Sequence, residues 1–293
     1  MEELNLKAVV LLAGSVRPSP LRRAISQGFL SLPIDGDCTI LDAWQRQLND
    51  LATSLSEAKL HVRIMQDRSS VLYDLSHQAS SRIKMTFEQD PFAFRGTGGL
   101  LRDLAEEYDD DEFLFVANAA QVVLGSVKDM VRELATVKAD IAIAAEQDGT
   151  PSDIMLIRSG ILKTIGKVGY VDIKEQALPQ ISKKHDVRVH RSNTVQTFQV
   201  RTLDSYLNAI KEFHVFNHLV DHREQTLEDW QATFSIVDTK AKMHPTAIVH
   251  DSVVLEGSVI EENAVIVRSV IAPNGYVASN QSIVDTVISS NIE

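Results

Sequence analysis

Residues 246–287 read, in sixes, TAIVHD, SVVLEG, SVIEEN, AVIVRS, VIAPNG, YVASNQ and SIVDTV. The second place of every sextet is apolar: Ala247, Val253, Val259, Val265, Ile271, Val277 and Ile283. So is the third: Ile248, Val254, Ile260, Ile266, Ala272, Ala278 and Val284. The first place is small in Thr246, Ser252, Ser258, Ala264 and Ser282, and the sixth is mostly a turn residue, as in Asp251, Gly257, Asn263 and Gly275. A strict six-residue period is the signature of parallel β-helices. Each sextet makes one flat side of a triangular coil, with small residues at the tight corner and branched residues stacked inward. One coil cannot bury its own apolar side, so the coils must stack. Seven sextets make little over two coils. That predicts a segment leaning on another domain or on another copy of itself.

Upstream, the pattern changes from period six to alternating strands and helices. KAVVLLA (7–13) is a short Val- and Leu-rich run ending at Gly14, which reads as a buried parallel strand. A loop with Arg17, Arg22 and Arg23 follows, then a helix over 40–52 with Ile40, Leu41, Trp44, Leu48 and Leu51 at helical spacing, then a strand over 59–66. Strand, loop, helix, strand is the βαβ unit of an α/β sheet. The alternation continues through GTGG (96–99) opening a helix over 100–108, a strand within 112–123, a helix over 126–137, and strands over 140–145, 154–162 and 186–191. The spacing predicts helix again from Thr202 to Phe234. The expected architecture is therefore a mostly parallel sheet with flanking helices over 1–235, followed by a short left-handed parallel β-helix over 236–293. Ligands of such sheets sit at the carboxyl ends of the strands, which directs attention to loops 14–23, 95–99 and 117–121.

The bulk numbers set limits on function. A net charge of −11 argues against a nucleic-acid-binding surface, which needs clustered Lys and Arg. The single cysteine, Cys38, forbids an internal disulfide. No N-terminal run has the form of a signal peptide, and no stretch approaches the length needed to span a bilayer. The cytoplasm is the expected compartment.

Several segments, in order, carry a resemblance. AVVLLAG (8–14) resembles the opening strand and glycine-rich loop of the sugar-phosphate nucleotidyltransferases, the NDP-sugar pyrophosphorylases. LPIDGDCTILDAWQRQL (32–48) is similar to their LPV-G-PLL-W-L segment, and RGTGGLLRDL (95–104) to the GTAG loop that packs on the nucleobase. FLFVANAAQVV (113–123) sits where the family has its NGD strand end, and VRTLDSYLNAI (200–210) resembles the IGTPEDYLEA helix start. GYVDIKEQALPQI (169–181) is similar to a segment before the last strands. The resemblance implies a nucleotidyltransferase (GT-A-like) fold and a nucleotide or nucleotide sugar as ligand. It places nucleotide contacts at Gly14, Ser15, Gly96, Thr97, Gly98, Gly99 and Asn118, a catalytic role at Arg17, and Asp172 on the sugar side.

The family joins a sugar 1-phosphate to an NTP and releases pyrophosphate. Charge gathers in the transition state, so catalysis is positioning plus cations. The resemblance departs at those cation sites. The opening loop is GSVRPSPL, with Gly14 alone where the family has more glycines. Fewer glycines leave fewer backbone N–H groups able to approach a triphosphate. Arg17 either stands for the family's arginine or is an exposed loop residue. Residues 24–33 hold no lysine. Aligning VANAAQ on the family's LNGD puts Ala120 on the first metal-binding Asp, and aligning FQVRT on LDIGT puts Gln199 on the second. Mg²⁺ requires hard anionic oxygen ligands, so the ion is expected only if the protein is active. The glycines at 96–99 either cradle a nucleotide or serve a tight turn.

Three readings follow: a catalytically impaired nucleotide-sugar-binding or regulatory protein; an active enzyme with metal ligation moved to Asp37, Asp172 or Asp204; and an acyltransferase acting through the β-helix, where His244 and His250 sit at the start of the coil. A homo-oligomer, or pairing with an active relative, is expected, with no membrane partner. His214, His218 and His222 share a helix face. Their i, i+4, i+8 spacing spans about 12 Å, too long for three ligands of one ion. The acidic run 109–112 reads as a solvated turn.

Overall fold

A computed structural model describes residues 4–14, 19–55, 59–66, 82–90, 95–167, 169–221 and 234–289. These fall into two compact units that interleave along the chain. The first comprises Met1–Val16, Trp44–Ala119 and Gly125–Thr197, and the second Arg17–Ala43, Ala120–Leu124 and Phe198–Glu293.

Strand β1 (Leu6–Leu12) is followed by a short helix α1 (Pro20–Ile25), the hairpin strands β2 (Pro33–Asp35) and β3 (Cys38–Thr39), and helix α2 (Ile40–Thr53). A capping box starts α2. Asp42 Oδ2 accepts from Thr39 N at 2.9 Å, and Thr39 Oγ1 accepts from Asp42 N at 3.2 Å. Then come β4 (Leu60–Gln66), β5 (Ile83–Gln89), α3 (Gly96–Ala105), β6 (Phe113–Asn118) and β7 (Gln121–Gly125). Helix α4 (Val127–Thr136) has its N-terminus closed by the Ser126 hydroxyl, which accepts from Asp129 N at 3.1 Å. Next are β8 (Ile141–Ala145), β9 (Pro151–Arg158), the single turns α5 (Ser159–Leu162) and α6 (Leu178–Ile181), β10 (Val187–Arg191), β11 (Val195–Gln199) and the long helix α7 (Leu203–Asp221).

Seven strands of the first unit form one sheet in the order β10-β8-β9-β6-β1-β4-β5. All run parallel except β9, which is inserted antiparallel between β6 and β8. Its central strands are apolar on both faces, as burial under two layers of helices demands. One of these faces packs Val10, Met65, Val116, Met155 and Ile157 against Leu101, Leu104 and Ile173.

The strand expected within 112–123 is β6, which stops at Asn118 because the chain turns at Ala119–Ala120. Ala119 N donates to Leu12 O and Trp44 Nε1 to Ala119 O, which ends β6, and β7 leaves to pair with β11 instead. Residues 154–162 are strand only as far as Arg158, and Ser159–Leu162 turn helically. Strand β5, lying at the sheet edge, was not among the expected elements, although IKMTFEQ alternates Ile83, Met85 and Phe87 with polar residues. The expected helix through Phe234 is present to Asp221; residues 222–233 lie outside the described set.

The C-terminal region is a stack of short parallel strands: β12 (Ser235–Val237), β13 (Lys242–Met243), β14 (Ile248–His250), β15 (Ser252–Val254), β16 (Val259–Ile260), β17 (Val265–Val267), β18 (Val270–Ile271), β19 (Tyr276–Val277), β20 (Ser282–Val284) and β21 (Val287–Ile288). They make three sheets, β12-β15-β18-β21, β13-β16-β19 and β14-β17-β20. The region is thus β-helix-like. Ser235 pairs with Ser252, Lys242 with Val259 and Ile248 with Val265, so each coil takes 17 residues, not the 18 that a strict period of six requires.

The missing residue is always taken from the same corner. The inward stack runs Val249, Val254, Ile260, Ile266, Ile271, Val277, Ile283, Ile288, in steps of five, six and six. Left-handed backbone marks the corners with the same rhythm, at Asp251, Gly257, Asn263, Arg268, Asn274, Asn280 and Asp285. Asp, Asn and Gly tolerate that conformation best, which explains the turn residues noticed in sequence. At the five-residue corner a hydroxyl staircase climbs the stack. Ser252 Oγ donates to His250 O at 2.7 Å and accepts from Ser269 N at 3.0 Å. Ser269 Oγ donates to Val267 O at 2.8 Å and accepts from Thr286 N at 3.1 Å. Within the second unit, α1 packs against β21, and the outward-facing Val253 and Val270 are buried.

Candidate functional site

The first unit gathers polar side chains at the carboxyl edge of its sheet. Even-numbered residues of β6 face the core cluster that holds Leu114 and Val116, so Asn118 ends the strand on that face. The antiparallel β9 pairs Ile154 with Ala117, which brings Asp153 beside Asn118. Asp153 adopts left-handed backbone, at φ +55, and its side chain is only 7% exposed. Its carboxylate accepts from Asn118 Nδ2 at 3.4 Å and is ion-paired with the Lys174 ammonium.

Lys174 reaches this position because the segment before it is fastened to the start of α3. Asp172 caps the turn Ile173–Ala177, its Oδ1 accepting from Lys174 N at 2.8 Å and Glu175 N at 3.0 Å. Its Oδ2 accepts from the Thr97 hydroxyl at 3.1 Å, and that hydroxyl accepts in turn from Ile173 N at 3.1 Å. Gly98 N donates to Val171 O at 2.8 Å. A Cβ built on Gly96, at φ +71, would lie 2.4 Å from Val171 O, and one on Gly98 would lie 2.9 Å from it. Gly96 and Gly98 are thus required by close approach of residues 171–173. The two stretches GTGG and GYVDIKEQ, each notable in sequence, form one assembly. What sequence reasoning missed here is Asp153 and Lys174: a strand reading that began at 154 stopped one residue short of the first, and the second lies inside GYVDIKEQ, where Asp172 alone was singled out.

Three arginines of this unit are engaged with acceptors of their own. Arg95 pairs with Asp90 at 2.9 Å and with Asp103, while Arg102 binds Asp103 and Gly166 O. Arg63, on β4, is nearly buried and joins two carboxylates: Glu88 through Nε at 2.8 Å and Nη2 at 2.6 Å, and Glu107 through Nη1 at 2.8 Å. Burial alone would raise the Glu88 carboxyl, but hydrogen bonds from Arg63 and Thr86 outweigh it and hold the group below its ordinary value. The acidic run also does more than face solvent. Lys163 donates to Asp110 Oδ1 at 2.7 Å and to Tyr108 O at 2.7 Å, tying α5 to the loop.

In the second unit, Ala120 and Gln199 lie close together, Val200 N donating to Ala120 O at 2.9 Å. Gln121, 1% exposed, has neither amide atom hydrogen-bonded. Asp37 is exposed in the β2–β3 turn, and Asp204 is exposed in the first turn of α7. Tyr206 is buried, which raises its phenol well above the ordinary range, and donates to Pro33 O at 2.5 Å. His214 stacks on Phe234 with ring centroids 6.1 Å apart, and its Nε2 is 3.9 Å from Asp35 Oδ1. His222 and the side chain of His218 lie outside the described set, as do Ser15 and Arg17; Gly14 is exposed just past β1. Among the described residues, no three His, Cys, Asp or Glu side chains converge to hold a metal ion.

No family model matches the chain, and no curated protein matches it. Solved structures do. HddC from Yersinia pseudotuberculosis superposes with a TM-score of 0.53 at 13% identity, covering 71% of this chain and 100% of its own. It is also known complexed with GMP-PN. UDP-glucose pyrophosphorylase from Acinetobacter baumanii superposes with a TM-score of 0.55 at 10% identity, covering 75% of this chain and 100% of its own. The fold is that of the sugar-phosphate nucleotidyltransferases. At such identities the likeness speaks for the nucleotidyltransferase fold alone, and function has to be argued from the residues.

Proposed function

We propose that this chain is a sugar-phosphate nucleotidyltransferase-like protein of nucleotide-sugar metabolism that binds a nucleotide or nucleotide sugar without carrying out the metal-dependent transfer. Its role is that of a binding or regulatory subunit, as a homo-oligomer or paired with an active relative. One observation carries the reading: Ala120 and Gln199 stand at the positions where the resemblance places the metal-binding carboxylates, Val200 N beside Gln199 donates to Ala120 O, and neither side chain is an anion. A divalent cation that must neutralise a reacting triphosphate needs anionic oxygens. Asp172, which could have substituted, spends both oxygens on Lys174 N, Glu175 N and Thr97.

Ligand binding is supported by the carboxyl-edge assembly of Gly96, Thr97, Gly98, Gly99, Asn118 and Asp172, at the place where open α/β sheets take ligands. Gly14, Ser15 and Arg17 belong to the same reading through the resemblance of the opening loop. The coil region, under this reading, is a left-handed parallel β-helix, and the working compartment is the cytoplasm. No helix among the described residues is long and apolar enough to cross a membrane.

The test is pyrophosphate release from the four NTPs with glucose 1-phosphate and Mg²⁺, for the wild type and for Ala120→Asp. The expected result is no turnover by the wild type, together with metal-independent binding of UDP-glucose by calorimetry. Turnover by the wild type at a rate that Ala120→Asp leaves unchanged would overturn the assignment.

A further inference from the structure

We propose that Lys174 is the anion-binding residue of the carboxyl-edge site, an ammonium held in place by Asp153 to receive a ligand phosphate without a metal ion. The inference rests on the ligand reading above and names the charge that would recognise the phosphate. Asp153 is a carboxylate with 7% of its side chain exposed, and a buried carboxylate is costly unless a cation and further hydrogen bonds compensate it. Lys174 and Asn118 supply them.

The Lys174 side chain is 46% exposed, so the pair is buried at one end and open at the other. An ammonium carries three N–H donors and no acceptor. Asp153 is the hydrogen-bond partner found for the Lys174 ammonium among the described residues, so donors remain for a ligand. Three other cations among the described residues of this unit are differently placed. Arg95 and Arg102 each bind two acceptors and are almost buried. Arg63 is sealed between Glu88 and Glu107.

The backbone around the ammonium is fixed from both sides. Asp153 holds a left-handed conformation that Asp tolerates and most residues do not. The turn bearing Lys174 is pinned to α3 through Asp172 and Thr97. Such preorganisation spares a ligand the entropy of ordering a free lysine. Asp153 is a positioning residue: it keeps the ammonium beside Asn118, while the phosphate takes the outward N–H groups. The ligand class is a phosphorylated sugar or a nucleotide sugar, recognised through its phosphate.

The experiment is calorimetric titration of the full chain, in EDTA, with UDP-glucose, glucose 1-phosphate, inorganic pyrophosphate and uridine. Lys174→Gln is expected to weaken the three phosphorylated probes by about tenfold or more, as loss of a charge-assisted hydrogen bond implies. Uridine binding should be unchanged, and Lys174→Arg should keep most of the affinity. A mere structural role would lower all four probes together, and thermal melting of each variant checks the fold directly. Equal affinity of Lys174→Gln for UDP-glucose overturns the role of Lys174 and leaves the ligand reading standing. So does a wild type that binds UDP-glucose but no pyrophosphate. Absence of binding by every phosphorylated probe removes both.

Discussion

Single residues at the edge of this sheet are charged in pairs and triples, and pH therefore acts on them selectively. Glu88 is held below its ordinary value of 4.5 by Arg63 and Thr86 against the opposing effect of burial. A carboxylate whose folded value is depressed contributes stability that is present above the unfolded value and lost as pH falls through the folded one. Glu88→Gln is accordingly expected to cost about 1 kcal/mol at pH 7 and progressively less below pH 4.5. Urea unfolding of wild type and variant between pH 7 and pH 3 measures this; a difference that stays constant with pH contradicts the assignment. At this scale the sequence was partly legible. Asp172, Thr97 and the glycines beside it were singled out, and they touch. Arg63, Asp153 and Lys174 were not, because their partners lie 21 to 44 residues away and are brought near only by strand register and by the fastening of one turn to a helix.

Among elements, the coils show how a side chain can replace a backbone residue. Three sides would take eighteen residues at six each, yet the pairing advances by 17. The short corner carries Ser252, Ser269 and Thr286 at its inner turn and Asp251, Arg268 and Asp285 in left-handed backbone before it. Arg268 grips Asp285 of the next coil through two bonds of 2.6 and 2.7 Å. Ser269→Ala would leave the Thr286 amide without its acceptor and break the staircase at its middle step. The expected cost is about 1–3 kcal/mol, read as a lowered midpoint in chemical denaturation. A midpoint equal to wild type would show the hydroxyl ladder to be dispensable. The repeat itself was visible in sequence because inward apolar residues recur at short range. Its one-residue slip was not, since Val270 and Ile271 are both apolar and fit either register.

For the whole molecule, the outer face of sheet β14-β17-β20 bears Ile248 and Val284, 58% and 49% exposed, with the half-buried Val265 and Val267 between them. Exposed apolar surface of this kind marks interaction sites, and the expected occupant is a second copy of the chain. Sedimentation velocity should show the wild type sedimenting as an oligomer and the double variant Ile248→Glu, Val284→Glu as a monomer. A monomeric wild type at micromolar concentration would exclude the homo-oligomer.

Sequence alone determined what depends on near neighbours: the alternation of strands and helices, the coil region and its corner residues, and the absence of acidic side chains at Ala120 and Gln199. Those follow from backbone propensity and from apolar spacing within a few residues. Only the tertiary structure decided where charge is placed. The antiparallel insertion of β9 set Asp153 beside Asn118, and the clasp between Asp172 and Thr97 delivered Lys174 to it. An ion pair between distant residues has no local signature, because its geometry is the product of pairings that exist only once the sheet has formed.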